Sequence, residues 1–156
     1  MTTTPISPIP PMNTKVYEMS TDQAIEQEIQ AKGLTAPRIT PADIEANIAS
    51  EHYFTAGEGV IGAFAAGEFD SHGSDVVILR RDIASTEVIK PSLNLLTFCV
   101  MVLRNGFTVT GESACVSREN FDAEIGRRVA RENAISKLWP LLGYALKDKL
   151  HATDPA

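Results

Sequence analysis

Three arginines lie close together in the C-terminal half of this 156-residue chain, at Arg127, Arg128 and Arg131. Arg127 and Arg131 are four residues apart, a spacing that places both on one face of an α-helix. A guanidinium group can bind a phosphate through two parallel hydrogen bonds, so such a cluster can hold a phosphate-bearing ligand. The alternative is a solvated face on which Glu124 and Glu132 pair with the arginines.

Amide and aromatic side chains accompany this cluster. Asn120 has the spacing that would place it on the helical face of Arg127 and Arg131. Arg104 lies beside an Asn-Gly turn and could reach the cluster from a neighbouring subunit. Phe107 suits either the core or the face of a nucleobase. The residues that we expect to form a nucleotide-binding pocket are Arg104, Asn105, Phe107, Asn120, Arg127, Arg128 and Arg131.

The residue types that can act in catalysis or bind metals do not have the spacing that either role requires. His52, His72 and His151 are scattered and have no metal-ligand spacing with Cys, Asp or Glu. The glycines match neither a phosphate loop nor a dinucleotide fingerprint. No nucleophile has a convincing base partner. We therefore expect a protein that is not an enzyme and that needs no metal or cofactor.

A β-hairpin must position the first part of this pocket. The residues from Phe98 to Leu103 form an uninterrupted apolar run, which indicates a strand that is buried on both faces. Asn105-Gly106 follows and predicts a two-residue type I′ turn. Beyond the turn, apolar and polar residues alternate, so the second strand should have one buried and one wet face.

A long amphipathic helix must position the arginines. Ser117 is a suitable N-cap for it. Phe121, Ile125 and Val129 recur at four-residue steps and predict the stripe that faces the core. A second stripe contains the small residues Ala123, Ala130 and Ala134, where another backbone could approach closely. Pro140 should interrupt this helix, and Leu141 to Leu150 should form a short terminal helix.

The N-terminal half predicts further elements. Residues 1–16 form a Thr/Pro-rich tail that we expect to be disordered. A helix should run from Ser20 to Lys32, with Gln23 completing a capping box. Another should begin at Thr40-Pro41 and continue to Tyr53-Phe54. The glycine-rich residues 57–75 are loop-like, the apolar residues 76–79 predict a strand, and residues 88–89 predict a further short extended piece.

Composition bounds the class of protein. The length of the chain predicts a single domain over residues 17–150, and we expect a flexible C-terminus at 151–156. Its net charge of -6 argues against a polymeric nucleic acid as partner. No run approaches the ~20 apolar residues of a membrane helix, and no secretory signal is visible, so we expect a cytoplasmic protein. With a two-residue turn, Cys99 would oppose Glu112 rather than Cys115, which predicts two free thiols.

These elements predict an α+β fold. A small antiparallel sheet built on the hairpin should pack against the long helix, with helices at both ends of the chain. The short N-terminal helices are too short to be stable alone, so they should pack on the hairpin region or on another subunit.

The segment TFCVMVLRNGFTVTGESACVSRENFDAEIGRRVARENAISKLWPLLGY resembles the core of a family of small tailed-phage proteins. Genome annotation calls it the phage gene-product forty-nine/sixty-six family. The upstream segment AKGLTAPRITPADIEANIASEHYF resembles the same family. The stretch from Gly57 to Leu93 departs from typical members, which are shorter there.

This family is similar to the phage anti-Thoeris sponge proteins. Those proteins are oligomers that bind a cyclic ADP-ribose isomer made by host TIR-domain defence proteins and do not cleave it, and related members hold cyclic oligonucleotides. The resemblance implies a phage-encoded homo-oligomer that sequesters a cyclic nucleotide signal in the host cytoplasm. The alternative is an oligomeric protein-interaction module that binds a host or phage protein and no nucleotide.

Overall fold

The computed structural model describes residues 20–66 and 91–154. The elements in these ranges are α1 (Thr21–Ala31), α2 (Pro41–Asn47), β1 (Ile48–Thr55), α3 (Ala56–Ala65), β2 (Leu96–Leu103), β3 (Thr108–Ala114) and α4 (Ala123–Thr153). Two short 3-10 helices add Pro91–Leu95 and Arg118–Asn120. The three strands form one antiparallel sheet in the order β1-β2-β3, and α4 packs against β2 and β3. The predicted α+β fold is therefore confirmed.

The chain divides into two compact units, residues 1–35 and residues 36–156. The first unit contains α1, which begins as the sequence predicts. The Ser20 hydroxyl accepts from the backbone N–H of Gln23 at 3.3 Å, and the Gln23 side chain accepts from the Ser20 N–H at 3.2 Å. Gly33 then has a φ of 66°, as expected just beyond a helix C-terminus. The predicted tail at 1–16 and the extended pieces at 76–79 and 88–89 lie outside the described residues.

The second unit begins with α2, where the prediction was only partly right. Thr40 and Asp43 form a capping box, and Ile44 is 1% exposed in the core. The helix, however, ends at Asn47, and the residues that follow form β1 rather than further helical turns. These residues include β-branched and aromatic side chains, which suit a pleated surface, and β2 supplies the hydrogen-bonding partner.

The glycine-rich residues after β1 form α3 rather than a loop. Thr55 caps this helix by accepting from the N–H of Glu58, and the Glu58 carboxylate accepts from the N–H of Thr55. Gly59 lies against the ring of Phe54, which stacks on Phe98 with ring centroids 5.6 Å apart. The capping box and the contact with Phe54 outweigh the poor helix propensity of the glycines.

The predicted hairpin is present, but its turn is longer by one residue. The Leu103 N–H donates to the Phe107 carbonyl at 2.8 Å, so three residues form the loop. Gly106 has a φ of 84°, whereas Asn105 has a negative φ, which excludes the predicted type I′ turn. The Asn105 side chain instead accepts from the Phe107 N–H at 3.0 Å.

The longer turn shifts the register of the hairpin by one residue. Cys99 pairs with Gly111, whereas the two-residue turn had predicted Glu112. Cys99 and Cys115 are both free, as expected. Along β2, alternate residues are buried against α4 and the residues between them are half-buried. The prediction that this strand is buried on both faces is therefore confirmed for the face toward α4, while the opposite face is only half-buried.

The long helix begins later and ends later than the sequence predicted. Ser117 makes no side-chain cap, and a 3-10 turn follows it. Asp122 is the N-cap of α4, because its carboxylate accepts from the N–H of Ile125 at 2.8 Å. Pro140 lies inside the helix without ending it. A proline removes one backbone donor, and packing around Leu138 on the sheet maintains the helix past that point. The helix reaches Thr153, within the C-terminal range that was expected to be flexible.

The face of α4 that meets the sheet is the small-residue stripe. Its buried residues are Gly126, Ala130, Ala134 and Leu138. Ile125, which the pattern had assigned to the core stripe, is 51% exposed. A Cβ added at Gly111 of β3 would meet the backbone of Ala130 and Ala134, so helix and strand approach closely there. The close approach requires small residues, and it turns the larger side chains of the predicted stripe away from the sheet.

Polar side chains of α4 also cover one edge of the sheet. The Asn133 side chain donates to the Glu112 carbonyl at 2.8 Å, and the Lys137 ammonium donates to the Thr110 carbonyl at 2.7 Å. Both carbonyls belong to β3, which lies at an edge of the described sheet. Such pairing reduces the number of backbone groups that are open to another strand.

Candidate functional site

Arg131 is the centre of the candidate site. Its Nε donates to the two carboxylate oxygens of Glu51 at 3.0 and 3.2 Å, and its Nη2 lies 2.8 Å from Glu51 Oε1. The same Nη2 donates to Glu45 Oε2 at 2.8 Å. The positively charged guanidinium therefore joins α4 to β1 and to α2 through two negatively charged carboxylates.

Tyr53 extends this group into the core. Its hydroxyl donates to Glu51 Oε2 at 2.5 Å. Tyr53 pairs with Cys99 across the two strands, and Cys99 is fully buried. Burial and the acceptor Glu51 raise the pKa of the Tyr53 hydroxyl, so that it stays protonated and remains a donor. Burial also raises the pKa of the Cys99 thiol, which therefore stays neutral.

The charges at the centre are stabilised by one another. Partial burial raises the pKa of Glu51, but hydrogen bonds from Arg131 and Tyr53 outweigh this effect, and the net pKa lies below its usual value of 4.5. The hydrogen bond to Glu51 raises the pKa of the Arg131 guanidinium, so Arg131 remains charged. A fixed, permanently charged guanidinium is a group that can bind an anionic ligand.

The other two arginines of the cluster are exposed on α4. Arg127 is one helical turn before Arg131, and Arg128 follows it. Gly126, which directly precedes Arg127, lies against Thr97 at the start of β2. Arg127 and Arg128 are therefore near the end of the sheet that is opposite the hairpin turn.

Asn120 does not share a helical face with the arginines. It lies in the 3-10 turn before α4, because the helix begins at Ala123 rather than after Ser117. Its side chain is exposed. The helical spacing that joined Asn120 to the cluster therefore does not apply, although the residue lies near the N-terminus of the helix that carries the arginines.

The hairpin residues form a separate group. Arg104 and Asn105 are exposed, and Phe107 is 54% exposed rather than part of the core. Arg104 lies seven positions after Thr97 in the sequence, which corresponds to about 23 Å of strand. Within one chain, the hairpin group therefore lies far from Arg127 and Arg128, and Arg131 lies between the two groups.

Sequence reasoning missed the carboxylates that hold Arg131. Glu45 and Glu51 were read as parts of one helix, so their approach to Arg131 from two elements was not foreseen. The available signal was the β-branched and aromatic content from Ile48 to Thr55, which is typical of a strand. A strand at that place puts Glu51 and Tyr53 on the same face.

Other chemical groups lie apart from this centre. The His52 ring is 3.0 Å from the Ser50 hydroxyl on the exposed side of β1. Within residues 20–66 and 91–154, no three His, Cys, Asp or Glu side chains come together as a metal site. In the same ranges no helix is both long enough and apolar enough to cross a membrane.

A comparison with protein families identifies the class of this α+β chain. A family profile of phage proteins matches residues 39–150, which include α2, the sheet, most of α4 and all seven predicted site residues. The chain is thus a phage protein. It belongs to the phage protein family described as N4 Gp49/phage Sf6 gene 66. No curated protein and no solved structure matches it.

Proposed function

We propose that this phage protein binds a cyclic nucleotide immune signal and sequesters it without cleaving it. The ligand class comes from the resemblance to the anti-Thoeris sponge proteins, with a cyclic ADP-ribose isomer first and cyclic oligonucleotides second. The observation that carries the proposal is Arg131, a guanidinium held in a defined position on a helix that also presents Arg127 and Arg128.

The chemistry of these groups suits a phosphate-bearing ring. Guanidinium groups bind phosphate oxygens through charge-assisted hydrogen bonds, and exposed Phe107 can stack on a base. The Tyr53 hydroxyl and the Cys99 thiol are both protonated, so neither is a ready base or nucleophile. Binding followed by retention agrees with this set of groups better than bond cleavage does.

Recovery of the ligand after binding is the direct test. The purified protein is incubated with the cyclic ADP-ribose isomer, separated from free ligand and then heat-denatured. Mass spectrometry of the released material should show the intact ring in a fixed ratio to the protein. Recovery of a linear product would mean that the protein is an enzyme, and a failure to retain any ligand from a panel of cyclic nucleotides would refute the proposal.

Variants can locate the site within or between chains. Arg127→Ala and Arg131→Ala should each weaken binding by about 10- to 100-fold, because a charge-assisted contact contributes about 1.5–3 kcal/mol. Lys147→Ala, on the exposed C-terminal part of α4, is the matched control and should bind normally. A loss of binding in Arg104→Ala would indicate a pocket completed by a second copy of the chain.

A protein-interaction module is the second candidate function. It is favoured by apolar side chains that α4 leaves exposed, namely Ile125 at 51% and Tyr144 at 75%. Under this alternative, cyclic nucleotides should cause no thermal shift, and a tagged protein should capture a defined host or phage protein from infected cells. Ile125→Ser and Tyr144→Ser should then abolish capture while the fold is retained.

Both candidates place the protein in the cytoplasm of the infected bacterium as a homo-oligomer. Light scattering coupled to size-exclusion chromatography tests the oligomer. A monomer at micromolar concentration, with or without ligand, would contradict a pocket shared between chains.

A further inference from the structure

The two carboxylates at Arg131 are held very differently. Glu51 contacts both Nε and Nη2, receives a further hydrogen bond from Tyr53 and has a side chain that is 24% exposed. Glu45 makes one contact, between its Oε2 and Nη2, and its side chain is 56% exposed. Glu51 is therefore fixed by several bonds, whereas Glu45 is held by one bond at the solvent side.

The Glu45 oxygen occupies a position that suits a phosphate oxygen. Both groups are anionic acceptors that take an N–H from a guanidinium at similar distances. Within the described residues, Nη1 of Arg131 makes no hydrogen bond, so an anion in the place of Glu45 could bind Nη1 and Nη2 together. Glu45 uses only Nη2, which leaves this second donor unused.

We propose that the carboxylate of Glu45 competes with the phosphate of the ligand for Arg131 and is displaced when the ligand binds. Glu51 remains in place and positions the guanidinium. This inference rests on the proposed function for the identity of the anion, and it makes Glu45 a residue that regulates the affinity of the same site. The affinity for the ligand then depends on how much more strongly its phosphate binds Arg131 than the Glu45 carboxylate does.

The surrounding structure allows this exchange. An exposed single-contact ion pair contributes little to stability, so its loss is easily offset by a phosphate that makes two contacts. The capping box of α2 uses Thr40 and Asp43 and does not involve Glu45. Ile44 anchors α2 in the core independently. The Glu45 side chain can therefore turn into solvent while α2 remains folded.

A titration with sodium pyrophosphate tests the competition directly. The Arg131 Nε–H signal is followed by ¹⁵N NMR in the wild type, Glu45→Gln, Glu51→Gln and Glu132→Gln. Glu132 is exposed and adjacent to Arg131 in sequence, and its substitution gives the same change of net charge. Glu45→Gln should lower the pyrophosphate midpoint about threefold, while Glu132→Gln should lower it much less.

The same spectra test the positioning role of Glu51. Because Nε donates only to Glu51 among the residues that the structure describes, Glu45→Gln should keep the protected Nε–H signal, whereas Glu51→Gln should broaden it or abolish it. Equal midpoints in Glu45→Gln and Glu132→Gln would overturn the proposal. So would the absence of any pyrophosphate response at Arg131.

Parallel binding of the cyclic ADP-ribose isomer separates this inference from the proposed function. If the isomer does not bind but Glu45→Gln still gains pyrophosphate affinity, the sponge function is wrong and the competition by Glu45 stands. If the isomer binds equally well to the wild type and Glu45→Gln, with equal pyrophosphate midpoints, the function stands and the competition is wrong.

Discussion

The face of α4 that lies on the sheet and the flank of α4 that faces β1 are held by different forces. On the sheet face, Gly126 and Ala130 are buried against β2 and β3, and a Cβ added at Gly126 would lie 2.9 Å from Thr97 Oγ1. On the β1 flank, Arg131 binds charged partners on β1 and α2. Shape therefore determines where the helix lies, while charge determines what its exposed flank can bind.

Enlarging the tightest point of the sheet face should have the largest effect. In Gly111→Ala, the new methyl group would meet the backbone of Ala130 and Ala134, which no rotamer change can relieve. We expect a loss of about 3 kcal/mol or more in the free energy of unfolding, measured by chemical denaturation. Gly143→Ala, within α4, has open space around its Cβ and should instead stabilise the protein by about 0.5–1 kcal/mol. Equal effects of the two changes would mean that the close approach does not exist.

Removing the charge from the β1 flank should have a smaller effect. Arg131→Met keeps much of the side-chain volume but leaves Glu51 partly buried without its cation. We expect a loss of about 1–3 kcal/mol in the free energy of unfolding. Arg127→Met, at an exposed position one turn earlier, should change it by no more than about 0.5 kcal/mol. Similar losses in both variants would contradict the special position of Arg131.

The start of α4 can be tested by two cap substitutions. Asp122→Ala removes the acceptor for the Ile125 N–H and should cost about 1 kcal/mol. Ser117→Ala should cost little, because the Ser117 side chain caps no helix. Thermal denaturation of both variants measures the difference. A larger loss in Ser117→Ala would restore the longer helix that the sequence predicted.

Acidification should give the smallest effect. The folded pKa of Glu51 lies below 4.5, so its stabilising contribution is complete above that pH and is lost as the pH falls through the folded pKa. The free-energy difference between wild type and Glu51→Gln, measured by denaturation from pH 7 down to pH 3, should therefore shrink by roughly 1 kcal/mol. A difference that is constant with pH would mean that Glu51 has the same pKa in the folded and the unfolded protein.

Sequence patterns were sufficient where a local rule acted alone. The capping residues of α1 and the start of α2 followed from side chains three residues apart, and the hairpin followed from Asn105-Gly106. The small-residue stripe of Ala130 and Ala134 correctly indicated a close approach of another backbone.

The errors arose where tertiary contacts outweighed local rules. Helical periodicity assigned Ile125 to the core, but the approach of β3 selected the small residues for that face. The sequence also could not reveal that Glu45 and Glu51 meet Arg131, since 86 and 80 positions separate each pair. Such contacts depend on the strand order, which no local pattern specifies.

The contact between Gly111 and the backbone of Ala130 has a consequence for engineering new specificity. Arg131 directly follows Ala130, so main-chain contacts fix the position of its backbone above the sheet, and Glu51 then positions its guanidinium. Libraries that vary residues such as Glu45 or Phe107 should alter which anion is selected while the arginine keeps its place. The molecule thus offers a stationary cation around which a recognition surface can be redesigned.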